Sequence, residues 1–477
     1  MGWLVAGILF SFFYTLQTAI ILWAEKPRPA KMAAWLVIAY AAPLIGFVFW
    51  LLAGRAGNSL SRTSNRVGFD TALRRSRSAI SPSATGNKQF DEEEKLSRLL
   101  NATIRQPLTF GNDTVVLTNG KAYFGALLQA IDEAEHHIHF DYYTFRDDDI
   151  GGKITARLAD KVAAGVEVRV LFDRVGSIGL RRRAVRKLKE KGIQAYSFLP
   201  PGATFGRRWL NNRNHSKIAV IDGRTAFVGG MNIGDEYLGK DRRLGFWRDT
   251  QLKLKGDAVY WIQELFLKDW ELASEEKLIP DTYMPDRDSE PDVDSGEAVW
   301  IVSSGPDEPG KPILTAALGA IGAAKTSICM STPYFIPDES LLAAICTAAR
   351  SGIDVRLIIP GTADTQLVLW ATLSYVERLL EAGVQVYRYQ KGFIHAKVLL
   401  VDRMIASVGT ANMDMRSLHS NFEQNALLFG ESTIDRLYRD FEQDVKDSVQ
   451  LKLESFKERS GRQKRKEAFA RLLSPLL

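Results

Sequence analysis

Two long apolar runs open the chain, Met1–Ala24 and Met32–Gly54, and neither contains a charged side chain. Each exceeds the ~20 residues that a helix needs to cross a bilayer. Prolines in the polar hinge between them, Glu25-Lys26-Pro27-Arg28-Pro29-Ala30-Lys31, cannot continue a helix. The pattern therefore predicts a transmembrane hairpin over residues 1–54, with Trp3, Trp23, Trp35 and Trp50 near the ends of the runs as interfacial rings. A cleaved signal peptide would need a basic start and a small-residue cleavage site behind a shorter apolar core, and this sequence has neither. Residues 55–105 begin with a stretch rich in Ser, Arg, Asn and Gly, which reads as a juxtamembrane linker.

Beyond that linker the pattern changes to short apolar strands alternating with amphipathic helices, and it is written twice. Gly165-Val166-Glu167-Val168-Arg169-Val170-Leu171 is echoed by Gly352-Ile353-Asp354-Val355-Arg356-Leu357-Ile358, and Gly192-Ile193-Gln194-Ala195-Tyr196 by Gly383-Val384-Gln385-Val386-Tyr387. Val166–Phe172 and Val355–Ile359 read as buried strands, with helices predicted over Ile154–Ala164 and Leu341–Arg350. Alternation of this kind predicts α/β units around mostly parallel sheets. The expected organisation is a hairpin (1–54), a linker (55–105), a first α/β domain (106–280), an acidic linker (281–296), a second α/β domain (297–450) and a basic tail (451–477).

Composition narrows the class. With 46% hydrophobic and 25% charged residues, the 477-residue chain is neither disordered nor fibrous. Its two cysteines, Cys329 and Cys346, exclude a disulfide scaffold and a Cys-rich zinc module. The net charge of +6 hides a strong asymmetry. The hinge carries +2, Arg55–Arg77 carries +5, Arg181–Lys191 carries +6 and Lys452–Arg471 carries +5, which leaves −12 for everything else. Six arginines follow the second run against three basic residues in the hinge, so the positive-inside rule puts the C-terminal bulk and the N-terminus in the cytoplasm. The run at 181–191 reads either as a solvated helix face or as a contact with anionic headgroups. The tail reads as an interfacial helix or as a cap on the second domain. Leu367-Val368-Leu369-Trp370 suggests a wall for acyl chains, although such spacing is more often core.

The candidate chemistry lies in one doubled motif. His215-Ser216-Lys217, Asp222, Gly229-Gly230 and Asn232 recur as His395-Ala396-Lys397, Asp402, Gly409-Thr410 and Asn412 with identical spacing. On a strand, residues i and i+2 share a face, so each His projects beside its Lys. Asp222 and Asp402 have the opposite parity and open a turn, where they are better placed to brace the strand than to face a ligand. Two His, two Lys and two Asn would make a phosphate site. Lys217 and Lys397 neutralise phosphoryl oxygens, while Asn232 and Asn412 donate hydrogen bonds. One imidazole can attack phosphorus while the other protonates the leaving alcohol. The cluster His136-His137-Ile138-His139 has no counterpart in the second copy and reads as structural rather than metal-binding.

The doubled motif resembles the HKD signature of the phospholipase D superfamily, and the wider match is to bacterial cardiolipin synthases. That match takes in the apolar N-terminus, Trp247-Arg248-Asp249, Thr332-Pro333-Tyr334-Phe335, Asn421-Phe422-Glu423 and the terminal Leu472-Leu473-Ser474-Pro475-Leu476-Leu477. The resemblance implies two pseudo-twofold-related domains and metal-independent phosphatidyl transfer through a phosphohistidine, with no cofactor. Its substrate would be phosphatidylglycerol among anionic membrane lipids, not nucleic acid, and its place the bacterial inner membrane as a multi-pass protein. His215, Lys217, Asp222, His395, Lys397 and Asp402 are then the catalytic signature. The sequence does not fix whether His215 or His395 is the nucleophile, and we name His215. Asp249 and Glu423 match the family's histidine-orienting carboxylates. Many superfamily members carry serine where this chain has Gly230 and Thr410, which removes a hydroxyl contact to phosphate from the first copy. A phospholipid-hydrolysing phosphodiesterase of the same chemistry is the alternative activity.

Overall fold

The computed structural model describes residues 2–25, 29–54, 85, 87–180, 182–198, 213–284, 296–306, 308 and 310–477. Most of the basic stretch 55–84 and of the acidic linker, at 285–295, lies outside the described residues.

The first half supplies strands β1 (Thr109–Thr118), β2 (His137–Tyr142), β3 (Glu167–Asp173), β4 (Gln194–Phe198), β5 (Lys217–Ile221), β6 (Thr225–Gly229), β7 (Phe246–Arg248) and β8 (Thr250–Lys255). The second supplies β9 (Glu297–Ser304), β10 (Ser327–Ser331), β11 (Phe335–Ile336), β12 (Asp354–Pro360), β13 (Gln385–Tyr389) and β14 (Gly392–Ile394). It continues with β15 (Val398–Val401), β16 (Ile405–Gly409), β17 (Met413–Asp414), β18 (Glu423–Leu428) and β19 (Ser448–Gln450). Fifteen of these form one continuous sheet, ordered β19-β13-β12-β10-β15-β16-β18-β9-β1-β8-β6-β5-β2-β3-β4. The order reads alike outward from the β9–β1 junction, where Thr109 faces Val299 and Asn112 faces Glu297. The two expected domains are thus halves of a single sheet related by a pseudo-twofold.

Parallel pairing occurs where helices cross over, in β2-β3-β4 and β10-β12-β13. The ladders from β2 and β10 inward to the junction are antiparallel, because those strands are joined by tight turns or return across the sheet. The mostly parallel expectation therefore holds for the outer crossover units and not for the centre.

Helices Asn119–Glu133 and Asp149–Ala163 cover one face of the first half, and Pro312–Ala323, Glu339–Arg350 and Gln366–Glu381 cover the same face of the second. Ala258–Ser274 and Glu431–Lys446 pack on the opposite face, in a core that draws on both halves. The basic run forms the helix Arg182–Glu190, whose Leu188 and Ala184 are buried. The tail helix Gly461–Leu473 packs on Gln366–Glu381, so it caps the second half. Leu367–Trp370 are half-buried against the core of the second half, and Leu369 and Trp370 line a cavity between that helix and the tail.

The N-terminus departs from the expected hairpin. Gly2–Ala24 is one continuous helix, long and apolar enough to cross a membrane, with Trp3, Leu9 and Phe12 largely exposed. The second run is broken at Ala42–Pro43 into Pro29–Ala41 and Pro43–Phe49 followed by Trp50–Gly54. Pro43 cannot continue the first limb, and Gly46 lets the second return against it: a Cβ there would lie 2.5 Å from the Ile38 carbonyl oxygen. Lys31 Nζ donates to the Gly54 carbonyl at 2.9 Å, closing the ends of the fold-back. At ~1.5 Å per residue, a limb of 13 residues is too short to span. Among the described residues, only Gly2–Ala24 is a full-length span.

Candidate active site

Each motif histidine is carried by one half and fixed by the other. His215 and Lys217 lead into β5, and His395 and Lys397 lead into β15. The segment before His395, β14, pairs in parallel with β7 of the first half, and the His395 amide donates to the Arg248 carbonyl at 2.7 Å. In the other direction Asn214 bridges to Phe422, and the His215 amide donates to the Phe422 carbonyl at 3.0 Å. Arg248 is anchored in turn by an ion pair to Asp444 at 2.8 Å.

The side chains cross the same junction. His215 Nδ1 lies 2.9 Å from a carboxylate oxygen of Glu423, and His395 Nδ1 lies 2.7 Å from one of Asp249. Both carboxylates are fully buried. A carboxylate only accepts, so Nδ1 is the protonated nitrogen of each ring; this leaves Nε2 of His215 for chemistry, while Nε2 of His395 meets the Lys397 ammonium at 3.1 Å. Glu423 also accepts from Thr410 Oγ1 at 2.6 Å and from Asn421 Nδ2 at 3.2 Å.

Lys217 Nζ donates to the His215 carbonyl at 2.8 Å and lies over the Tyr143 ring. Lys397 Nζ donates to the His395 carbonyl at 2.6 Å and sits against the imidazole, 2.9 and 3.1 Å from its two nitrogens. Burial lowers His215 to about 4 and His395 to about 3, with Lys397 the next largest cause at His395. Burial likewise brings Lys217 down to about 7 and Lys397 to about 8. The charge of each lysine is felt by the histidine of the other half, so the two motifs share one site.

Not every candidate joins this cluster. Asn232 accepts from the Thr144 amide at 3.0 Å and donates to Tyr237, while Asn412 donates to Asp414 at 3.0 Å. Both are buried, with part of their amide capacity spent on the protein, and Asn412 lines the same cavity as Lys397. Asp222 and Asp402 lie outside the cluster, which corrects their grouping with the catalytic signature. Asp222 accepts from the amides of Glu135, His136 and His137, and Asp402 from those of Lys325, Thr326 and Ser327. Each ties a strand start to the hairpin turn, as its opposite parity requires.

The Gly230 and Thr410 positions serve the carboxylates. The Thr410 hydroxyl holds Glu423, and a Cβ on Gly230 would lie 2.1 Å from Asp249 Oδ1. Sequence reasoning also missed the rings around the histidines: Tyr143 lies 4.8 Å from His215 and Trp247 5.3 Å from His395. Trp247 stands in the Trp-Arg-Asp triplet, which was the available signal. The first-half histidines are tied into packing, with His137 and His139 both bonded to Gln263.

A family model described as "Cardiolipin synthase, PLD-like domain" matches residues 127–270 and 318–445. The chain is 42% identical over 462 residues to a cardiolipin synthase of Geobacillus kaustophilus (strain HTA426), covering 96% of this chain and 91% of that one. It is 41% identical over 488 aligned residues to a cardiolipin synthase of Alkalihalophilus pseudofirmus, covering 100% and 95%. Among solved structures, phosphatidylserine synthase of Haemophilus influenzae Rd KW20 superposes with a TM-score of 0.61 at 14% identity, over 80% of this chain and 100% of that one. That likeness is one of fold.

Proposed function

The chain belongs to the cardiolipin synthase family built from phospholipase D-like domains, and from that premise we propose that it makes cardiolipin and glycerol from two phosphatidylglycerol molecules through a phosphohistidine. The observation that carries this reading is the crossed pair of histidines, each with Nδ1 on a buried carboxylate of the other half.

In the first step His215 Nε2 attacks the phosphorus of one phosphatidylglycerol. The bond from phosphorus to the headgroup glycerol breaks, and His395, protonated once the bound phosphodiester anion draws the Lys397 ammonium off its ring, gives its Nε2 proton to the departing oxygen. In the second step a glycerol hydroxyl of another phosphatidylglycerol returns its proton to His395 Nε2 and attacks phosphorus. The P–N bond breaks, which restores His215 and releases cardiolipin. Lys217 and Lys397 neutralise the phosphoryl oxygens, with Asn232 and Asn412 supplying their remaining N–H groups. Glu423 and Asp249 stabilise each imidazolium as it forms. The Lys397 ammonium against His395 makes that ring the poorer base, which supports assigning attack to His215. Every step is carried by the chain's own side chains, with no metal or cofactor.

The test is incubation of the purified protein with phosphatidylglycerol and a chelator. Cardiolipin and glycerol in equal amounts are expected, and phosphatidic acid as the only lipid product would reject transfer in favour of hydrolysis.

The long apolar helix and the family both support membrane association. We place the catalytic halves in the cytoplasm, on the side of the arginines that follow Gly54. With the second run folded back, Gly2–Ala24 crosses alone and the N-terminus lies on the far side, unlike the two-pass expectation. A Gly2→Cys thiol should react with an impermeant reagent from outside intact cells, since Cys329 and Cys346 are buried. Labelling only after lysis would restore the two-pass hairpin.

A further inference from the structure

A narrow apolar slot lies beneath the site in the second half. It begins at Lys397 and Asn412 and runs between the sheet and the helix Pro312–Ala323, past Ala316, Ala317, Ser407 and Ile405. Lys397, Leu399 and Val401 share one face of their strand, and Ile405 pairs with Val401. At ~3.3 Å per residue, the slot therefore reaches about 13 Å below the lysine.

The pseudo-twofold shows why it is open here. In the first half the equivalent space is filled by Tyr123 and Tyr142, whose hydroxyls bond to each other, and by Leu127 and Met231. Their counterparts in the second half are Ile313, Thr332, Ala317 and Ala411, every one of them smaller. One swap runs both ways: Phe227 becomes Ser407 while the facing Ala219 becomes Leu399, so that pair roughly conserves volume. Interiors are otherwise packed without such voids, and although Gly151 and Thr225 become the larger Leu341 and Ile405 on the walls, the loss of four large side chains exceeds that gain and calls for an occupant.

We propose that this slot takes one acyl chain of the phospholipid whose phosphate is held at Lys397, an assignment that rests on the proposed phosphatidyl transfer. The lining below the lysine is predominantly apolar, which suits methylenes rather than a second headgroup. Its mouth coincides with the phosphate-holding lysine, so one amphiphile satisfies both ends. The slot also adjoins the membrane-facing part of the chain. Leu418, on its wall, belongs to the helix Met415–His419. That helix contacts the terminal turn Ser474–Leu476, which in turn packs on Pro29–Ala41. Leu341 and Met413, also on the walls, are unbranched at Cβ and can rotate to admit the chain.

Two measurements decide the assignment. Phosphatidylglycerol with a photoreactive diazirine in one acyl chain should label the wild-type protein within Pro312–Ala323 or β10. Labelling restricted to residues 2–54 would overturn it. Separately, Ala317→Leu and Ala411→Met restore the first-half residues and close the slot. Each should lower the ratio of kcat/KM for dipalmitoyl- over dihexanoyl-phosphatidylglycerol by about tenfold, the worth of roughly two buried methylenes. An unchanged ratio in a variant that melts like the wild type would also reject the slot. Should the wild type yield only phosphatidic acid, the transfer reading fails while the labelling still decides whether the slot holds a chain.

Discussion

Glu423→Gln removes one charge and almost no volume, which makes it the sharpest probe of the crossed pairing. Glu423 is fully buried and holds three partners: His215 at 2.9 Å, Thr410 at 2.6 Å and Asn421 at 3.2 Å. Glutamine keeps the shape and can still accept hydrogen bonds, but its amide either presents N–H to His215 or faces it without charge. When His215 becomes cationic during transfer, the charge centres are about 4 Å apart. At an effective dielectric of ~20 the lost attraction is about 4 kcal/mol. At ~1.4 kcal/mol per decade, kcat should fall about a thousandfold. Steady-state cardiolipin formation in mixed micelles measures this, alongside a thermal melt to confirm the fold. Because the carboxylate acts through His215, adding Glu423→Gln to His215→Ala should cost little further activity. A drop of less than about tenfold in a protein that melts normally would refute the reasoning, as would full additivity in the double variant.

Gly230→Ala forces a methyl into the Asp249 carboxylate, so kcat should fall toward the level of Asp249→Asn, whereas an unaffected kcat would show that Asp249 can move without consequence. The pH profile of kcat/KM follows from the free site. Lys217 and Lys397 keep their charge below about 7 and 8 and lose it as pH rises through those values, so activity should decline on that limb. Protonation of His215 near 4 should close the acid side, and a profile flat from pH 6 to 10 would contradict the lysine assignment. Asp222→Ala strips three amides of their acceptor and should cost about 2–3 kcal/mol of stability in denaturant unfolding. The folded variant should retain kcat within about threefold, and a catalytic loss beyond a hundredfold would return Asp222 to the site.

Much of this was legible in the chain because repetition is visible without a structure. The two copies of His, Lys and Asn identified the strands, their faces and the phosphate chemistry, and parity separated Asp222 and Asp402 from the histidines beside them. Sequence reasoning could not show the exchange. Glu423 serves His215 and Asp249 serves His395 only because β7 and Phe422 pair across the junction, a contact between residues far apart in the chain. The single continuous sheet was hidden for the same reason, since the β9–β1 pairing joins strands nearly two hundred residues apart. The N-terminus misled in a different way. Length and hydrophobicity gave two spans, but Pro43 and Gly46 fold the second upon itself, and a hydropathy window does not register a turn inside an apolar run. The slot under Lys397 emerged only from comparing the two halves position by position.

The stereochemical course at phosphorus tests the central claim most directly. Phosphatidylglycerol made chiral at phosphorus with oxygen isotopes would be converted to cardiolipin and the configuration of the product read out. Two in-line displacements through a histidine adduct each invert the centre, so the account predicts net retention. Net inversion would mean that the acceptor hydroxyl displaces glycerol in one step, and neither histidine would then be a nucleophile.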